Sequence, residues 1–388
     1  MNVLHVIPAI APRYGGPSEA VISLAKSLIE KGVQVEIATT DADGLGRLSV
    51  PTDSLVEQHG VPVRFFPRQF SEAFKYSRPM ARWLRAHVGD FDVVHIHAVF
   101  SHSSVAAYKA CVKRGVPYLI RPLGTLDPAT LAQKALRKRL FGAAWGARML
   151  SCAAGIHYST NRERDDVERS FELPRGFVLP IGVDVRCARN DSGEIHERSP
   201  SLENNSPYVI FLGRLDPIKN VELLIDAFCK VTRVDELRGW RLLIAGDGGM
   251  DYVASLKERA FQSNAGRRIF FPGWLSGAAK MRAMANAELF ALMSRHENFG
   301  RSVVEAMSLG TPVLIAEDVF IADDVREYQA GWVVSRDLEE VGHALKQAIT
   351  DADIRHRRGV AAKRLVSDRF DSEQSAEQMI GRYVAVIE

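Results

Sequence analysis

The feature that most constrains the fold is a regular alternation of short apolar segments with longer segments of helical periodicity. Asn2 to Ile7 is a short apolar run rich in branched residues. Residues 18–31 then carry apolar side chains three and four positions apart, and residues 33–39 are again strand-like. Such an alternation is typical of a parallel, doubly wound α/β sheet with helices on its faces.

The alternation is interrupted once, by a polar stretch from Arg186 to Pro207 with little periodicity, and it resumes at residues 208–212. A length of 388 residues suits two domains of about 190 residues each. The predicted divisions are an N-terminal α/β domain over 1–185, a linker over 186–206, a C-terminal α/β domain over 207–370 and a helix over 371–388 that packs back on the N-terminal domain. Because ligands of open parallel sheets bind beyond the carboxyl ends of the strands, the two sheets are expected to face a central cleft.

Composition narrows the class of protein. Lys and Arg total 50 against 47 Asp and Glu, so no excess of positive charge indicates nucleic-acid binding. The 4 cysteines lie far apart without a C-x-x-C motif, and we interpret them as reduced thiols rather than disulfides or a zinc site. Residues 1–8 are too short and too neutral for a signal peptide, and no run approaches the roughly 20 apolar residues of a membrane span. We therefore expect a cytoplasmic protein.

The most specific motif follows the strand-like residues 288–293. Glu297 falls in the loop, Gly300 allows close approach of the backbone to a ligand, and Ser302 begins a helix whose first N–H groups favour an anion. Glu305 lies within the first two turns of that helix. Two carboxylates can therefore flank a bound diphosphate, with Glu297 accepting sugar hydroxyls and Glu305 ribose hydroxyls. Either glutamate alone would be an incidental surface residue, and the whole run favours a site.

Three other segments give weaker signals. Arg214 and Lys219 lie between a strand and a helix, where a bidentate guanidinium and a point charge suit a diphosphate, although a solvated surface pair is the alternative. Gly15 and Gly16 form a glycine pair between strand and helix that is equally a plain turn. The segment Gly273-Trp274-Leu275 is by itself no more than a strand exit.

Taken together, these segments resemble family-4 retaining glycosyltransferases of the GT-B fold. Residues 297–305 resemble the E-x(7)-E region of that family, and residues 213–220 resemble its G-R-x(4)-K-N segment. Residues 14–18 look like its glycine loop, and residues 271–275 like its base-binding loop. The resemblance implies two Rossmann-like domains, the N-terminal one on the acceptor side and the C-terminal one binding a nucleotide sugar. Within the family, HepE-like transferases of heterocyst envelope polysaccharide are similar.

The resemblance also implies roles for individual residues. A backbone amide of the glycine loop would meet the donor phosphate, and backbone groups of residues 273–275 would read the base, which leaves uridine and guanosine unresolved. The predicted catalytic residues are His97 and Glu297, and the predicted nucleotide-sugar-binding residues are Gly15, Gly16, Arg214, Lys219, Gly273, Trp274, Leu275, Phe299, Gly300, Arg301, Ser302 and Glu305.

One position departs from the family pattern. Many relatives carry a histidine before a glycine after the strand near residue 120, and Leu123 stands in that place here. His97, at the end of the strand-like residues 93–97, is the better candidate to contact the sugar, because His95 is expected to face the opposite side of the strand. The alternative is that His97 merely satisfies a hydrogen bond in the core.

No metal and no cofactor are expected. Aspartate pairs of the D-x-D type occur at residues 41–43, 90–92 and 351–353, but none falls in the expected donor cleft. Arg214, Lys219 and the helix N-terminus at Ser302 would instead neutralise the leaving diphosphate.

The acceptor is poorly defined by the sequence. Two basic stretches, Arg64 to Arg85 and Lys134 to Arg139, are either solvated faces or a peripheral contact with the inner membrane that reaches a lipid-linked acceptor. We expect transfer of a hexose, glucose from UDP-glucose, to a saccharide or lipid-linked saccharide in polysaccharide assembly. The alternatives are a GDP-mannose-dependent mannosyltransferase, a nucleotide-sugar epimerase and a non-catalytic sugar-nucleotide-binding subunit.

Overall fold

The computed structural model describes residues 1–127, 130–131, 141, 145–171, 173, 176–180, 182–185, 206–233, 237 and 239–388. The chain divides into two compact units, the first formed by Met1–Gly182 with Ser372–Glu388 and the second by Val183–Asp371. Residues 186–205 of the predicted linker, and the basic stretch Lys134 to Arg139, lie outside the described residues.

An eight-stranded sheet forms the centre of the first unit, in the spatial order β10-β9-β8-β7-β1-β2-β6-β5. Neighbouring strands are parallel except for the β5–β6 pair at the edge, and β3 and β4 form a separate antiparallel ribbon. The strands are β1 (Asn2–Ala9), β2 (Gln34–Thr40), β3 (Ala42–Asp43), β4 (Gly46–Arg47), β5 (Leu55–Gln58), β6 (Val61–Phe66), β7 (Val93–His97), β8 (Tyr118–Arg121), β9 (Gly155–Tyr158) and β10 (Gly176–Val178).

Both faces of this sheet are buried, because side chains alternate between them along each strand. One face carries Leu4, Val6, Val94 and Ile96 in a single apolar cluster, and the other carries Val3 and Ile7 in a second cluster. The second cluster includes Met379 and Tyr383, so the C-terminal helix belongs to the core of the first unit. Among its described residues, this unit has the helices α1 (Gly16–Glu30), α2 (Arg78–His87), α3 (His102–Arg114), α4 (Ala147–Ser151), α5 (Asn161–Glu168) and the C-terminal α13 (Ser372–Ile387).

A six-stranded, wholly parallel sheet forms the second unit, in the order β13-β12-β11-β14-β15-β16. The strands are β11 (Tyr208–Leu212), β12 (Arg241–Ala245), β13 (Ile269–Gly273), β14 (Leu289–Leu292), β15 (Val313–Ala316) and β16 (Gly331–Val334). The helices are α6 (Val221–Val231), α7 (Met250–Phe261), α8 (Gly277–Ala285), α9 (Arg301–Ser308), α10 (Ala322–Tyr328), α11 (Leu338–Thr350) and α12 (Ala352–Arg369). The doubly wound α/β architecture predicted for each half is thus confirmed.

Glycines allow the strand exits of the second unit to touch. A Cβ on Gly246 would lie 1.9 Å from the carbonyl oxygen of Gly213, so no other residue fits there. The Gly246 N–H donates to the Gly273 carbonyl oxygen at 2.8 Å. The chain segments that leave β11, β12 and β13 are therefore held side by side at the carboxyl edge of the sheet, where ligands of such sheets bind.

In the part of the chain that the structure describes, no helix is both long and apolar enough to cross a bilayer.

Candidate active site

The loop after β11 brings the predicted cations to the carboxyl edge of the second sheet. A short 3-10 helix, Pro217–Lys219, begins where the Asp216 side chain accepts a hydrogen bond from the Ile218 N–H at 3.1 Å. The Arg214 side chain is 63% exposed and lies 3.7 Å from the Asp216 carboxylate. Arg295 donates its backbone N–H to the Ile218 carbonyl at 2.7 Å, which ties the loop after β14 to this one.

Lys219 and Glu297 form an ion pair between these two loops. Their side chains are 17% and 19% exposed, so both are shielded from bulk water but within reach of a ligand. The backbone of Glu297 is fixed as well, because its N–H donates to Asp318 at 3.2 Å and its carbonyl accepts from Phe320 at 2.9 Å. Lys219 and Glu297, for which separate ligand-binding roles are predicted, thus form one ion pair.

Gly300 shapes the turn into α9. Its φ of 76° lies in the left-handed region, and a Cβ there would meet the Val303 side chain at 3.1 Å. The Gly300 carbonyl accepts hydrogen bonds from the N–H groups of Val303 and Val304, so it begins the helix that carries Arg301, Ser302 and Glu305.

The Glu305 carboxylate is held in a buried cluster of charges. Its Oε1 accepts from Arg301 Nε at 3.0 Å and from Lys280 Nζ at 3.1 Å. Glu305 is 6% exposed and Lys280 8%. The sequence-based analysis missed Lys280, which lies on the buried face of α8 together with Ala283 and Met284. Its spacing was the available signal, because Lys280 precedes the apolar Ala283 and Met284 by three and four positions and so shares their face of the helix.

The remaining predicted donor residues of the second unit are placed differently. Phe299 is buried against Phe370, with ring centroids 5.5 Å apart, so its ring belongs to the core and only its backbone can meet a donor. The contribution of Phe299 to nucleotide-sugar binding stays a prediction, and it falls to the backbone of this residue. Trp274 is exposed and Leu275 half-buried, and the Gly273 carbonyl already accepts the Gly246 N–H.

The glycine loop belongs to the first unit. Gly15, at a φ of 68°, precedes α1, and Gly16 is the first residue of that helix. A Cβ on Gly15 would meet nothing within 4 Å, so open space lies beside this backbone. Just before it, the Tyr14 hydroxyl donates to Glu72 Oε1 at 2.5 Å, and burial with this carboxylate raises the pKa of Tyr14 to about 12.

His97, the last residue of β7, is buried in a group of histidines. The register pairs His5 of β1 directly with His95 of β7, and His97 lies two positions further along the same strand. The rings of His95 and His97 are stacked with centroids 4.4 Å apart. The expectation that His95 faces the opposite side is therefore wrong, because residues two apart in a strand share a face. His97 is 1% exposed.

Burial keeps these imidazoles neutral. Desolvation, with a smaller contribution from the Arg121 charge, lowers the pKa of His5 to about 3. Desolvation also lowers the pKa values of His95, His97 and His157 well below their usual range. Ring nitrogens of His5, His95 and His97 all lie within 4.8 Å of one another, which is a possible donor set for a metal ion. The nearby Arg121 guanidinium opposes a second positive charge in this buried place.

The loop that follows β8 carries Leu123 and Gly124. Leu123 has a φ of 57°, a region that side chains with a Cβ rarely adopt. The Gly124 N–H donates to Glu163 Oε1 at 2.8 Å. The other oxygen of that carboxylate accepts from the Ser159 N–H at 2.7 Å, so Glu163 anchors the loop from within the protein.

The three D-x-D segments have structural contacts. Asp41 accepts from the Arg68 backbone at 2.6 Å, Asp92 from the Asn2 backbone at 2.7 Å, and Asp351 caps α12 by accepting from Ile354. Each pair thus contains a carboxylate that holds backbone in place.

Comparisons with known proteins agree with this architecture. The family model described as Glycosyl transferase 4-like domain matches residues 15–182, and the one described as Glycosyl transferases group 1 matches residues 193–365. A GDP-mannose-dependent alpha-mannosyltransferase of Mycolicibacterium smegmatis is 29% identical over 395 residues, covering 100% of this chain and 98% of the relative. A D-inositol 3-phosphate glycosyltransferase of Jonesia denitrificans is 24% identical, covering 99% and 95%.

A solved structure shows the same fold. Anabaena Alr3699/HepE in complex with UDP-glucose matches with a TM-score of 0.77 at 21% identity, covering 99% of this chain and 100% of that one. The two family models follow one another along the chain and correspond to its two α/β units. The chain therefore belongs to the family-4 glycosyltransferases with the GT-B fold.

Proposed function

We propose that this glycosyltransferase is a retaining, metal-independent hexosyltransferase that acts in polysaccharide biosynthesis. It moves a hexose from a nucleotide sugar to a saccharide or lipid-linked saccharide. The observation that carries the proposal is the pair of charge clusters, Lys219 with Glu297 and Lys280 with Arg301 and Glu305, on the loops and helices that follow parallel strands of one sheet. The Gly300 turn leads directly from the first cluster into the helix of the second.

The charges suggest how the leaving diphosphate is stabilised. Lys219 is a partly shielded cation, and Arg214 is an exposed one that can swing towards a ligand. Cations held in place by the fold stabilise negative charge that develops on the leaving group without reorganisation. Glu297 keeps Lys219 in position before the donor binds and then accepts hydroxyls of the sugar. Glu305, held by Lys280 and Arg301, accepts the ribose hydroxyls.

For the first unit, the proposed ligand contacts come from the glycine loop and from His97. The backbone at Gly15 has open space beside it, and it meets a donor phosphate together with the backbone of Gly16. His97, at the end of the strand next to β1, contacts the sugar or the acceptor. The Gly124 N–H already donates to Glu163. The proposed contact at this edge of the sheet therefore depends on the side chain of His97.

Two donors are candidates. UDP-glucose is the donor predicted from the sequence. GDP-mannose is favoured by a specific observation, since the relative that is 29% identical over the full chain is named a GDP-mannose-dependent alpha-mannosyltransferase. The base-binding segment does not decide between them, because its contacts come from the backbone of residues 273–275 rather than from a distinctive side chain.

The test is a transfer assay with UDP-glucose and GDP-mannose, each with a saccharide acceptor and with EDTA. Transfer from one donor in EDTA, with the anomeric configuration of the donor kept in the product by NMR, supports the proposal. Inversion of that configuration rejects retention, and loss of activity in EDTA with rescue by Mg²⁺ rejects the metal-independent mechanism. Epimerised donor without transfer, or binding without any turnover, supports one of the other two alternatives instead.

The proposed peripheral contact with a membrane is made by α2. Of the first basic stretch, Arg64 pairs with Glu36 while Arg68 and Lys75 pair with Glu72, so these three charges are used inside the unit. Arg78, Arg82 and Arg85 are exposed on α2 at spacings of four and three residues, on one side of the helix. This basic stripe suits an anionic membrane surface near a lipid-linked acceptor.

A further inference from the structure

A continuous series of polar contacts connects His97 to the C-terminal helix. We call it the histidine network, and it consists of His97, His5, Tyr383, His95 and His157. Along it, His97 Nε2 lies 2.9 Å from His5 Nδ1, His5 Nε2 lies 3.5 Å from the Tyr383 hydroxyl, and that hydroxyl lies 2.8 Å from His95 Nδ1. His95 Nε2 then lies 3.3 Å from His157 Nδ1, and His157 Nε2 lies 2.8 Å from the carbonyl oxygen of Leu179.

The backbone carbonyl at one end sets the direction of every hydrogen bond. A carbonyl oxygen only accepts, so His157 carries its proton on Nε2. A neutral imidazole has one N–H, so His157 Nδ1 accepts from His95 Nε2, and His95 Nδ1 in turn accepts from the Tyr383 hydroxyl. The Tyr383 oxygen then accepts from His5 Nε2, which leaves His5 Nδ1 to accept from His97 Nε2.

The reverse direction of the hydrogen bond between His5 and Tyr383 is disfavoured. If His5 carried its proton on Nδ1, its bare Nε2 would face the oxygen of Tyr383, whose own proton is engaged by His95. Two lone pairs would then meet in a buried place without a proton between them, which costs free energy. The tautomers of His5 and His97 therefore follow from the Leu179 carbonyl, because each hydrogen bond of the series fixes the direction of the next.

We propose that the histidine network fixes His97 as the tautomer that carries its proton on Nε2 and presents Nδ1 as a hydrogen-bond acceptor. His97 then accepts a hydrogen bond from a hydroxyl of the sugar or the acceptor and does not donate one. Tyr383, on α13 at the other end of the chain, is a positioning residue that acts through His5. The assignment of a partner to Nδ1 rests on the proposed function, whereas the tautomer itself does not.

The first experiment reads the tautomer directly. The full chain is labelled with ¹⁵N at its histidine rings, and the His97 signal is assigned by its loss in His97→Gln. The expected spectrum at neutral pH has a protonated Nε2 and a bare Nδ1 for His97. A protonated Nδ1 would overturn the proposal. A zinc-induced shift of the His5, His95 and His97 signals at equimolar Zn²⁺ would overturn it too, because in the network the bare Nδ1 atoms of His5 and His95 already accept hydrogen bonds. This readout needs no substrate, so it stands even if the proposed transfer activity fails.

The second experiment removes one hydroxyl. Tyr383→Phe keeps the buried ring but takes away both the donor to His95 and the acceptor for His5. We expect a mixture of His97 tautomers and a kcat lower by about tenfold, with nucleotide affinity unchanged. Tyr118→Phe is the matched control, since this buried hydroxyl donates to the Met149 carbonyl at 2.7 Å on the other face of the same sheet.

The two variants separate positioning from packing. A structural role for Tyr383 would lower the melting temperature of Tyr383→Phe as in the control and would leave the His97 tautomer and kcat as in the wild type. That result would overturn the proposal. Should Tyr383→Phe not fold, the wild-type tautomer decides the matter alone. If the tautomer shifts as expected but the wild type transfers no sugar, the proposed function fails while the network stands.

Discussion

In the first unit, the histidine network on the buried face of the sheet beneath α13 consists of imidazoles and a phenol, and hydrogen bonds link them in series. At the carboxyl edge of the second sheet, the polar groups are ammonium, guanidinium and carboxylate ions, and each contact joins opposite charges. The difference follows from burial. Neutral groups are buried completely at the cost of satisfying their hydrogen bonds, whereas ions need partners and tend to stay near water. We therefore expect the stability of the first unit to depend on pH, and that of the second to depend on single charged side chains.

The largest expected effect is the loss of stability in acid. The pKa values of His5, His95, His97 and His157 lie below those of an unfolded chain, so the unfolded state binds protons that the folded state does not. Their stabilisation is complete above about pH 6.5 and is lost as the pH falls towards the folded values, such as about 3 for His5. For His5 this should cost about 2 kcal/mol between pH 7 and pH 5, measured by urea unfolding. The lowered pKa values of His95, His97 and His157 add to that loss.

His157→Gln sharpens this test. The amide cannot take up a proton, so the free energy of unfolding of this variant should fall less steeply between pH 7 and pH 5 than that of the wild type. Parallel slopes for the two proteins would show that the histidine network is not the source of the acid sensitivity.

Loss of the Glu305 carboxylate is expected to have the next largest effect. Glu305→Ala removes the carboxylate that pairs with the buried Lys280 ammonium, which should lower the free energy of unfolding by about 3 kcal/mol. Nucleotide affinity should fall as well, because Glu305 is proposed to accept the ribose hydroxyls. The double variant Lys280→Met with Glu305→Ala should recover part of the stability but none of the affinity. Equal stability of Glu305→Ala and wild type would show that the contacts of Glu305 with Lys280 and Arg301 do not stabilise the fold.

Glu297→Gln should have a smaller effect on stability and a larger one on catalysis. The pair with Lys219 is partly exposed, so we expect a loss of roughly 1 kcal/mol in the free energy of unfolding. Turnover should fall at least about tenfold, because the carboxylate is proposed to act at the reacting sugar. The surface pair of Lys230 and Glu339 offers the control, and Glu339→Gln should leave turnover intact. Wild-type turnover in Glu297→Gln would reject the site.

Arg214→Ala should change stability least. The side chain is 63% exposed, so the free energy of unfolding should stay within about 0.5 kcal/mol of the wild type. Turnover should still fall, because Arg214 is proposed to stabilise charge on the leaving diphosphate. Unchanged turnover would assign Arg214 to the solvated surface.

Hydrophobic periodicity predicted the α/β class of both halves, because each strand and helix is a local pattern, and the strand expected at residues 33–39 is β2 (Gln34–Thr40). The helix after Gly300 was expected from Ser302 and begins at Arg301. Side-chain orientation was less secure. His95 was assigned to the wrong face of its strand because the two-residue period was miscounted. The burial of the Phe299 ring could not be foreseen, because its partner Phe370 lies 71 residues further along the chain, directly after α12.

The amino-acid sequence by itself determined the α/β class, the glycines that allow close turns and the motif from Glu297 to Glu305, since all of these depend on neighbours in the chain. Tertiary structure decided which polar groups meet. Lys219 reaches Glu297 across 78 residues, and Tyr383 reaches His95 across 288. Such pairs depend on strand order and on where the last helix packs, and a hydrogen bond forms only where that packing brings donor and acceptor within about 3 Å.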